Sequence, residues 1–349
     1  MSFSKLRASV IVPVYNRSSD LKVLLSSLMQ QSISASRFEI LICDDGSTEN
    51  IQTIVEEFQS PSNPTIKYFK QVNQGPGAAR NLGLSHSVGT ITAFTDSDCI
   101  PDSDWLEELI VPIESSNARM TGGLIDFQNA DYLSGRCMNF LMSSMIGAGG
   151  ARDPRTAIHM KYFPRTSNVA VAREVAVAAG GFPAQRHGED IEFADRVRQQ
   201  GAEILFVPTA KITHNEQKTL KQLSREAYLK GCARVRLAKT RGMHELIHAA
   251  PALLCLYIIL LTLTTVIAPT LTFWSSLPVF AYLCLIFILA LQAGICLNEV
   301  LAVFVVFSQA ILMHISYGCG YLATRLKLFL ARLKLNYFPT SLSTENKKV

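Results

Sequence analysis

The stretch AFTDSDCIPD, residues 93–102, decides how the amino-terminal part of the chain is interpreted. A β-rich run over 91–95 ends in two carboxylates, Asp96 and Asp98, one residue apart. Carboxylates that leave the end of a buried strand together repel each other unless a cation or a hydroxyl-rich ligand is present. The same pattern is also compatible with a turn or a helix cap, because further acidic residues precede a predicted helix over 105–110.

Strand-like and helix-like pieces alternate over residues 1–217, which we predict to form one catalytic domain. Repeated strand-helix-strand units favour an α/β domain, with a mostly parallel mixed sheet and helices on both faces. Ligands of such sheets bind at the carboxyl ends of the strands. Asp44 and Asp45 also follow a strand, so the sequence predicts that the two acidic pairs meet at one edge of the sheet. The predicted strands cover 9–15, 38–43, 65–70 and 89–95, and the predicted helices cover 21–30, 51–58, 78–85, 105–110 and 191–200.

The carboxyl-terminal part of the chain has the composition of a membrane protein. Between residues 249 and 322 the only formal charge is Glu299. Three apolar stretches, 252–274, 277–297 and 300–322, each approach the roughly 20 residues that cross a bilayer core. We therefore predict about three transmembrane helices within 249–323.

Basic residues flank these stretches on both sides. Lys and Arg crowd the segment 218–248, which predicts an amphipathic juxtamembrane helix on anionic lipid, and the tail 324–349 is also basic and amphipathic. A solvated helix face remains an alternative, whereas nucleic acid is not an expected partner because no binding motif accompanies the charge. A basic tail prefers the cytoplasmic side, which favours an even number of crossings over three, and the sequence leaves this open.

The start of the chain and its cysteines indicate the compartment. The apolar run after Lys5 and Arg7 is too short for a secretory signal. The eight cysteines form no Cys-x-x-Cys pair, which argues against a zinc site or a disulfide framework. We expect an integral protein of the plasma or inner membrane with a cytoplasmic catalytic domain.

Six motifs occur in a fixed order along the amino-terminal part of the chain. They are VIVPVYNR (10–17), CDDGST (43–48), NQGPGAARNLG (73–83), TDSDC (95–99), NVAVARE (168–174) and HGEDIEFADRVRQQG (187–201). The set resembles the family 2 glycosyltransferases over residues 8–215, and the ordered set is specific although no single motif is. The resemblance implies a GT-A fold, a nucleotide-sugar donor, a divalent metal (Mn or Mg) and inversion at the anomeric carbon.

The resemblance assigns metal and donor roles to the acidic pair and to a histidine. It implies that Asp98 ligates the metal and that Asp96 reaches the ribose or shares the metal. His214, in KITHNE, matches a position of a further metal or diphosphate ligand, with a surface histidine as the alternative. A cation on the diphosphate suits this chemistry because the leaving group develops negative charge. UDP is the favoured nucleotide only because the family most often uses it.

Four further residues are expected to hold the nucleotide sugar. Asp45 resembles the acidic residue that accepts from the base ring, and Pro13 and Tyr15 would lie against that ring. Tyr15 could instead pack in the core. Arg80 lies in a glycine-rich entry to a helix, where backbone amides favour phosphate.

The GED motif bears on the reaction class. An acceptor hydroxyl loses a proton as it attacks, and a carboxylate within hydrogen-bond reach can take it. Asp190 matches the catalytic base of the family, with Glu189 beside it to orient it or to bind acceptor. Both can also cap the following helix, where acidic residues are favoured.

Departures from related groups narrow the expected function. The only tryptophans are Trp105 and Trp274, so the Gln-x-x-Arg-Trp motif of processive synthases is absent and we expect single-sugar transfer. A base favours a hydroxyl acceptor on a lipid-linked saccharide or glycolipid. The alternatives are a polyprenyl-phosphate glycosyltransferase, whose ionised acceptor needs no base, and a catalytically silent membrane scaffold.

Overall fold

A computed structural model describes residues 6–126, 132–148, 162–184, 187–214, 219–243 and 246–337. The chain divides into two compact units. The first unit comprises Met1–Lys218 together with Phe287–Phe307, and the second comprises Thr219–Ile286 together with Ser308–Val349.

One eight-stranded sheet forms the centre of the first unit. Its strands lie in the order β3-β2-β1-β4-β7-β6-β8-β5. Among these described strands, four neighbouring pairs are parallel and three are antiparallel, which confirms the predicted mixed sheet. The strands are β1 (Ala8–Val14), β2 (Phe38–Asp44), β3 (Thr65–Lys70), β4 (Ile91–Phe94), β5 (Cys99–Pro101), β6 (Ala118–Asp126), β7 (Val169–Ala172) and β8 (Glu203–His214).

Helices cover both faces of this sheet, as predicted. Alternate residues of β1 point to opposite faces, so Val10 and Val12 pack in one core with Leu24 of α1. Ile11 packs in the other core with Leu84 of α3. The helices of this unit are α1 (Ser18–Leu28), α2 (Ile51–Glu57), α3 (Pro76–His86), α4 (Trp105–Ser115), α5 (Leu133–Ser143), α6 (Met145–Ala148), α7 (Arg173–Ala178) and α8 (Glu189–Gln199).

Helix α5 packs against a later part of the same unit. Arg136 forms an ion pair with Glu299, at 3.3 Å between Nη2 and Oε1. The Cys137 thiol, which is fully buried, donates to the carbonyl of Ala302 at 3.9 Å. The single acidic residue of the apolar region is therefore paired with an arginine of the amino-terminal segment.

The basic helix α9 (Leu220–Arg241) belongs to the second unit. A capping box between Thr219 and Gln222 begins it, and Gly242, at φ +67°, ends it in the left-handed conformation. Its glycine at 231 lets the helix approach the carbonyl of Tyr317, since an added Cβ would collide with that oxygen. The basic side chains on its exposed surface are Lys221, Arg225, Lys230 and Lys239.

Three long apolar helices follow, α10 (Ala250–Ile267), α11 (Thr272–Leu297) and α12 (Val300–Tyr337). The candidate membrane spans that contain them are Leu246–Ile267, Pro269–Leu297 and Val300–Ala331. The break between α10 and α11 falls at 268–271, where Ala268 precedes Pro269 and is not helical. Helix α12 continues through the basic stretch after residue 323, whereas residues 338–349 of the predicted tail lie outside the described residues.

Candidate active site

The loops after β1 and β2 are tied together at the edge of the sheet where the motifs meet. Asn16, at φ +51°, accepts from the backbone N–H groups of Thr48 at 2.8 Å and Glu49 at 3.4 Å. Its own N–H donates to the Ser47 hydroxyl at 2.9 Å. Tyr15, the preceding residue, is 49% exposed, so the alternative of core packing is wrong.

The carboxylate of Asp45 organises the glycine-rich loop before α3. It is 4% exposed, and its Oδ1 accepts from Gln71 Nε2 and from the backbone N–H of Gln74, both at 2.8 Å. Its Oδ2 accepts from the backbone N–H of Gly75 at 2.7 Å. Three hydrogen bonds leave limited capacity for a base ring, and the predicted base contact of Asp45 stays a prediction.

Asp44 and Asp45 do not form a pair of ligands. The Asp44 side chain is fully buried and accepts from the Ser47 backbone N–H and the Tyr68 hydroxyl, both at 2.7 Å. Burial alone would raise the pKa of Asp44, but these hydrogen bonds and the nearby Lys70 lower it below its ordinary value. Asp44 therefore makes a structural contact between β2 and β3.

A buried arginine connects two of the expected site residues. Arg80 of α3 is 3% exposed, and its Nη2 donates to Asp96 Oδ1 at 2.6 Å. Its Nη1 lies 3.7 Å from Glu189 Oε1, and its guanidinium lies 5.5 Å from the ring centroid of Phe182. Among the described residues, Nε and Nη1 of Arg80 have no hydrogen-bond partner, so two donors remain for a ligand.

Glu189 holds a proton more readily than an ordinary glutamate. Burial and the charge of Asp190 raise its pKa to about 7, although Arg80 acts in the opposite direction. The Glu189 side chain is only 12% exposed. It is therefore suited to donate a hydrogen bond at neutral pH or below, a property that the sequence pattern alone did not reveal.

Asp98 and His214 lie together, as the predicted metal site requires. His214 Nε2 is 3.2 Å from Asp98 Oδ1, and both side chains are 12% exposed, so the surface-histidine alternative is wrong. Arg17 Nη1 lies 3.1 Å from the other carboxylate oxygen. Burial would raise the pKa of Asp98, but His214 and Arg17 outweigh it and lower the pKa.

These groups fit a divalent cation. Ligand atoms of Asp98, Cys99 and His214 lie within 4.8 Å of one another, because Cys99 of β5 pairs with His214 of β8. Burial and the charges of Asp96 and Asp98 raise the pKa of the Cys99 thiol, which makes it a poor ligand. The Asp98 carboxylate is the kind of ligand that suits Mn²⁺ or Mg²⁺, and the His214 imidazole could serve as a second ligand.

Asp190 lies in the first turn of α8. The helix begins after Gly188, at φ +80°, and the Asp190 Oδ1 accepts from the N–H of Ile191 at 2.9 Å. The other carboxylate oxygen lies 3.2 Å from Arg165 Nη1. Capping and a base role are compatible, since Asp190 is 13% exposed.

Three residues close to the carboxylates were not predicted: Asn16, Arg17 and Arg165. Asn16 and Arg17 lie in the quoted motif VIVPVYNR, so their position beside a strand end was a usable signal. Arg165 lies outside the six motifs, and its partner Asp190 lies 25 positions further along the chain. Only the folded chain brings it to Asp190.

The protein has the architecture of a GT-A glycosyltransferase domain. It resembles the mannosyltransferase PcManGT of Pyrobaculum calidifontis, solved in complex with GDP-Man and Mn²⁺, with a TM-score of 0.59. The alignment covers 93% of this chain and 88% of that chain at 15% identity, which supports the fold alone. Residues 9–165 match the family model Glycosyl transferase family 2, and this amino-terminal region belongs to that family.

Relatives from other organisms agree with this family. Glycosyltransferase AglE of Haloferax volcanii is 28% identical over 201 residues, which cover 57% of this chain and 63% of AglE. Pre-mycofactocin glycosyltransferase of Mycobacterium tuberculosis is 29% identical over 236 residues, which cover 64% of this chain and 46% of the relative. The matched part thus spans less than two thirds of either relative.

Proposed function

We propose that the chain is an inverting, metal-dependent glycosyltransferase that moves a single sugar from a nucleotide-diphosphate sugar to a hydroxyl of a membrane acceptor. The observation that carries this proposal is the buried Arg80, which contacts Asp96 on the donor side and Glu189, the neighbour of Asp190, on the other. The Arg80 side chain therefore links Asp96, which is expected to contact the nucleotide sugar, to helix α8, which carries the expected catalytic base.

The donor would bind at the ends of β1, β2 and β4. Asp98 and His214 would hold a divalent cation, with Asp96 at the ribose or sharing the metal, and that cation would neutralise charge on the diphosphate leaving group. The Nε and Nη1 nitrogens of Arg80, which have no hydrogen-bond partner among the described residues, could donate to an anionic nucleotide sugar. Tyr15, whose side chain is exposed, and Pro13 would lie against the base ring.

The transfer would be a single displacement. Asp190 takes the proton of the acceptor hydroxyl as its oxygen forms the new bond to the anomeric carbon. The bond from that carbon to the diphosphate oxygen breaks, and the electron pair leaves with the nucleotide diphosphate. Attack from the face opposite the leaving group inverts the anomeric configuration.

The acceptor is proposed to be a lipid-linked saccharide or a glycolipid. Three apolar helices long enough to span a bilayer support a membrane acceptor, as do the exposed lysines and Arg225 on α9. We propose an integral membrane protein with its catalytic domain, residues 1–217, on the cytoplasmic side. On this view 218–248 is the juxtamembrane segment, 249–323 spans the membrane and 324–349 is the basic tail.

The experiment that tests the function is nucleotide release by the purified protein in detergent. UDP-, GDP- and TDP-sugars are supplied with Mn²⁺, Mg²⁺ or a chelator, and with or without lipid extract from the source cells. Release that requires one donor, a metal and the lipid supports the proposal. A product cleaved by mild acid would assign a sugar phosphate and the polyprenyl-phosphate alternative, and metal-dependent nucleotide binding without release from any donor would favour the silent scaffold.

A further inference from the structure

Residues 162–168, which we name the strap, are fixed to α8 at two points. At one point, Arg198 Nη2 donates to the carbonyl of Tyr162 at 2.6 Å, and its guanidinium lies 4.9 Å from the ring centroid of Phe163. At the other, Arg165 lies 3.2 Å from Asp190. The two α8 residues are eight positions apart, so the strap follows the helix for about two turns.

The far end of the strap is anchored in the core. The backbone N–H of Asn168 donates to the carbonyl of Arg165 at 3.0 Å, which closes a turn. The fully buried Asn168 side chain donates to the carbonyls of Leu124 at 2.9 Å and Ala210 at 3.0 Å, and accepts from Trp105 Nε1 at 2.9 Å. Arg165 is therefore presented from a backbone that is held on both sides.

We propose that Arg165 is a positioning residue for Asp190, because its guanidinium lies 3.2 Å from one carboxylate oxygen and holds that carboxylate in one orientation. This inference rests on the proposed function, in which Asp190 is the base. A base that is already held in one orientation does not have to turn when the acceptor hydroxyl arrives.

Two adjacent carboxyl groups in one crevice cannot both ionise without cost. Their nearest cations differ: Asp190 has Arg165 at 3.2 Å, and Glu189 has Arg80 at 3.7 Å. Burial and the charge of Asp190 raise the pKa of Glu189 to about 7. The charged or titratable groups around the pair include Arg165 on the strap, Arg80 on α3, Asp96 after β4 and His187 before α8.

The test compares Arg165→Gln, Arg165→Lys and a control, Arg173→Gln. Arg173 is another half-buried arginine of the same unit, which donates to the Ser87 hydroxyl. In nucleotide release, we expect Arg165→Gln to lower kcat roughly tenfold through misplacement of the base, with little change in donor KM. Arg165→Lys keeps a cation at this position and should restore most of kcat.

A second readout does not depend on turnover. Melting temperatures of the wild type, Arg165→Gln, Asp190→Asn and the double variant form a cycle that measures the coupling of the two side chains. Coupling of the two side chains, together with a lowered kcat in Arg165→Gln that recovers in Arg165→Lys, supports the inference. A wild-type kcat in Arg165→Gln, or no coupling, overturns it. Coupling in a protein whose wild type never turns over shows that the proposed function has failed although the ion pair is real.

Discussion

The candidate site has two sides. We name the residues that follow β1, β2 and β4 the strand wall and the first turn of α8 the helix wall. The two walls hold their carboxylates by different means. On the strand wall, Asp45 is 4% exposed and accepts from the backbone N–H groups of Gln74 and Gly75. On the helix wall, Asp190 accepts from one backbone N–H, that of Ile191, and its other oxygen pairs with Arg165, whose side chain is 37% exposed. Backbone donors fix a carboxylate before any ligand arrives, whereas an exposed side chain can move or be displaced. We therefore expect the strand wall to determine donor binding and the helix wall to determine transfer.

The largest expected effect tests the helix wall alone. Asp190→Asn removes the proposed base without changing the shape of the side chain, so kcat should fall roughly 10³-fold while nucleotide binding persists. The measurements are nucleotide release and binding of the donor by calorimetry. Asp195→Asn, a change further along α8, is the control and should retain activity. Full turnover by Asp190→Asn would remove Asp190 from the base role.

The second prediction removes the residue that joins the walls. Arg80→Met leaves Asp96 and Glu189 without their shared cation in a buried site, which should cost about 3 kcal/mol of unfolding free energy. Donor binding and transfer should both fall, unlike in any variant confined to one wall. Thermal unfolding and nucleotide binding check this, with Arg173→Met as control. Donor binding at the wild-type level would show that the walls work independently.

The third prediction concerns the strand wall. Asp98→Ala removes the carboxylate beside His214, so metal-dependent donor binding should weaken by roughly 100-fold, about 2.7 kcal/mol. Titration of the nucleotide with Mn²⁺ and with a chelator measures the effect. Asp102→Ala, an exposed carboxylate after β5, serves as the control. Equal binding with and without chelator in the wild type would argue against a metal at this wall.

The smallest predicted effect is a pH dependence of stability. Because the pKa of Glu189 is raised to about 7 in the folded chain from an ordinary value of 4.5, the proton stabilises the fold. That stability is fully present below about pH 4.5 and is lost as the pH rises towards 7. Glu189→Gln avoids the loss, so its unfolding free energy should exceed that of the wild type by roughly 2 kcal/mol at pH 8. The gain should vanish at pH 4, and an equal gain at both pH values would mean that the proton is not responsible.

Local patterns were enough to predict the strands that carry the motifs. The strand expected at 65–70 is observed at Thr65–Lys70, and the one expected at 38–43 is β2, Phe38–Asp44. Helix α8 begins two residues before the expected position, since Gly188 turns the chain and the acidic pair itself forms the first turn. No sequence pattern predicted that β7 would lie antiparallel between β4 and β6, because the pairing of distant strands depends on tertiary packing.

The candidate site was predictable in its residue types and less so in its partners. The motifs named Asp98 and His214, and the fold brings them within 3.2 Å. The motifs did not reveal that the Asp45 carboxylate accepts hydrogen bonds from the glycine-rich loop, because every residue type except proline carries a backbone N–H. Nor could they reveal Arg165, whose side chain becomes informative only when the strap lies along α8.

The contact between α5 and the beginning of α12 has a consequence for biogenesis. A ribosome completes α5 well before it makes Glu299, which lies 163 positions after its ion-pair partner Arg136. During that interval Arg136 and Cys137 lack the groups that later cover them. The first unit of a nascent chain is therefore complete only after residues 287–307 have been synthesised. We expect truncation before residue 299 to leave Arg136 without its ion-pair partner and Cys137 without the carbonyl that it contacts.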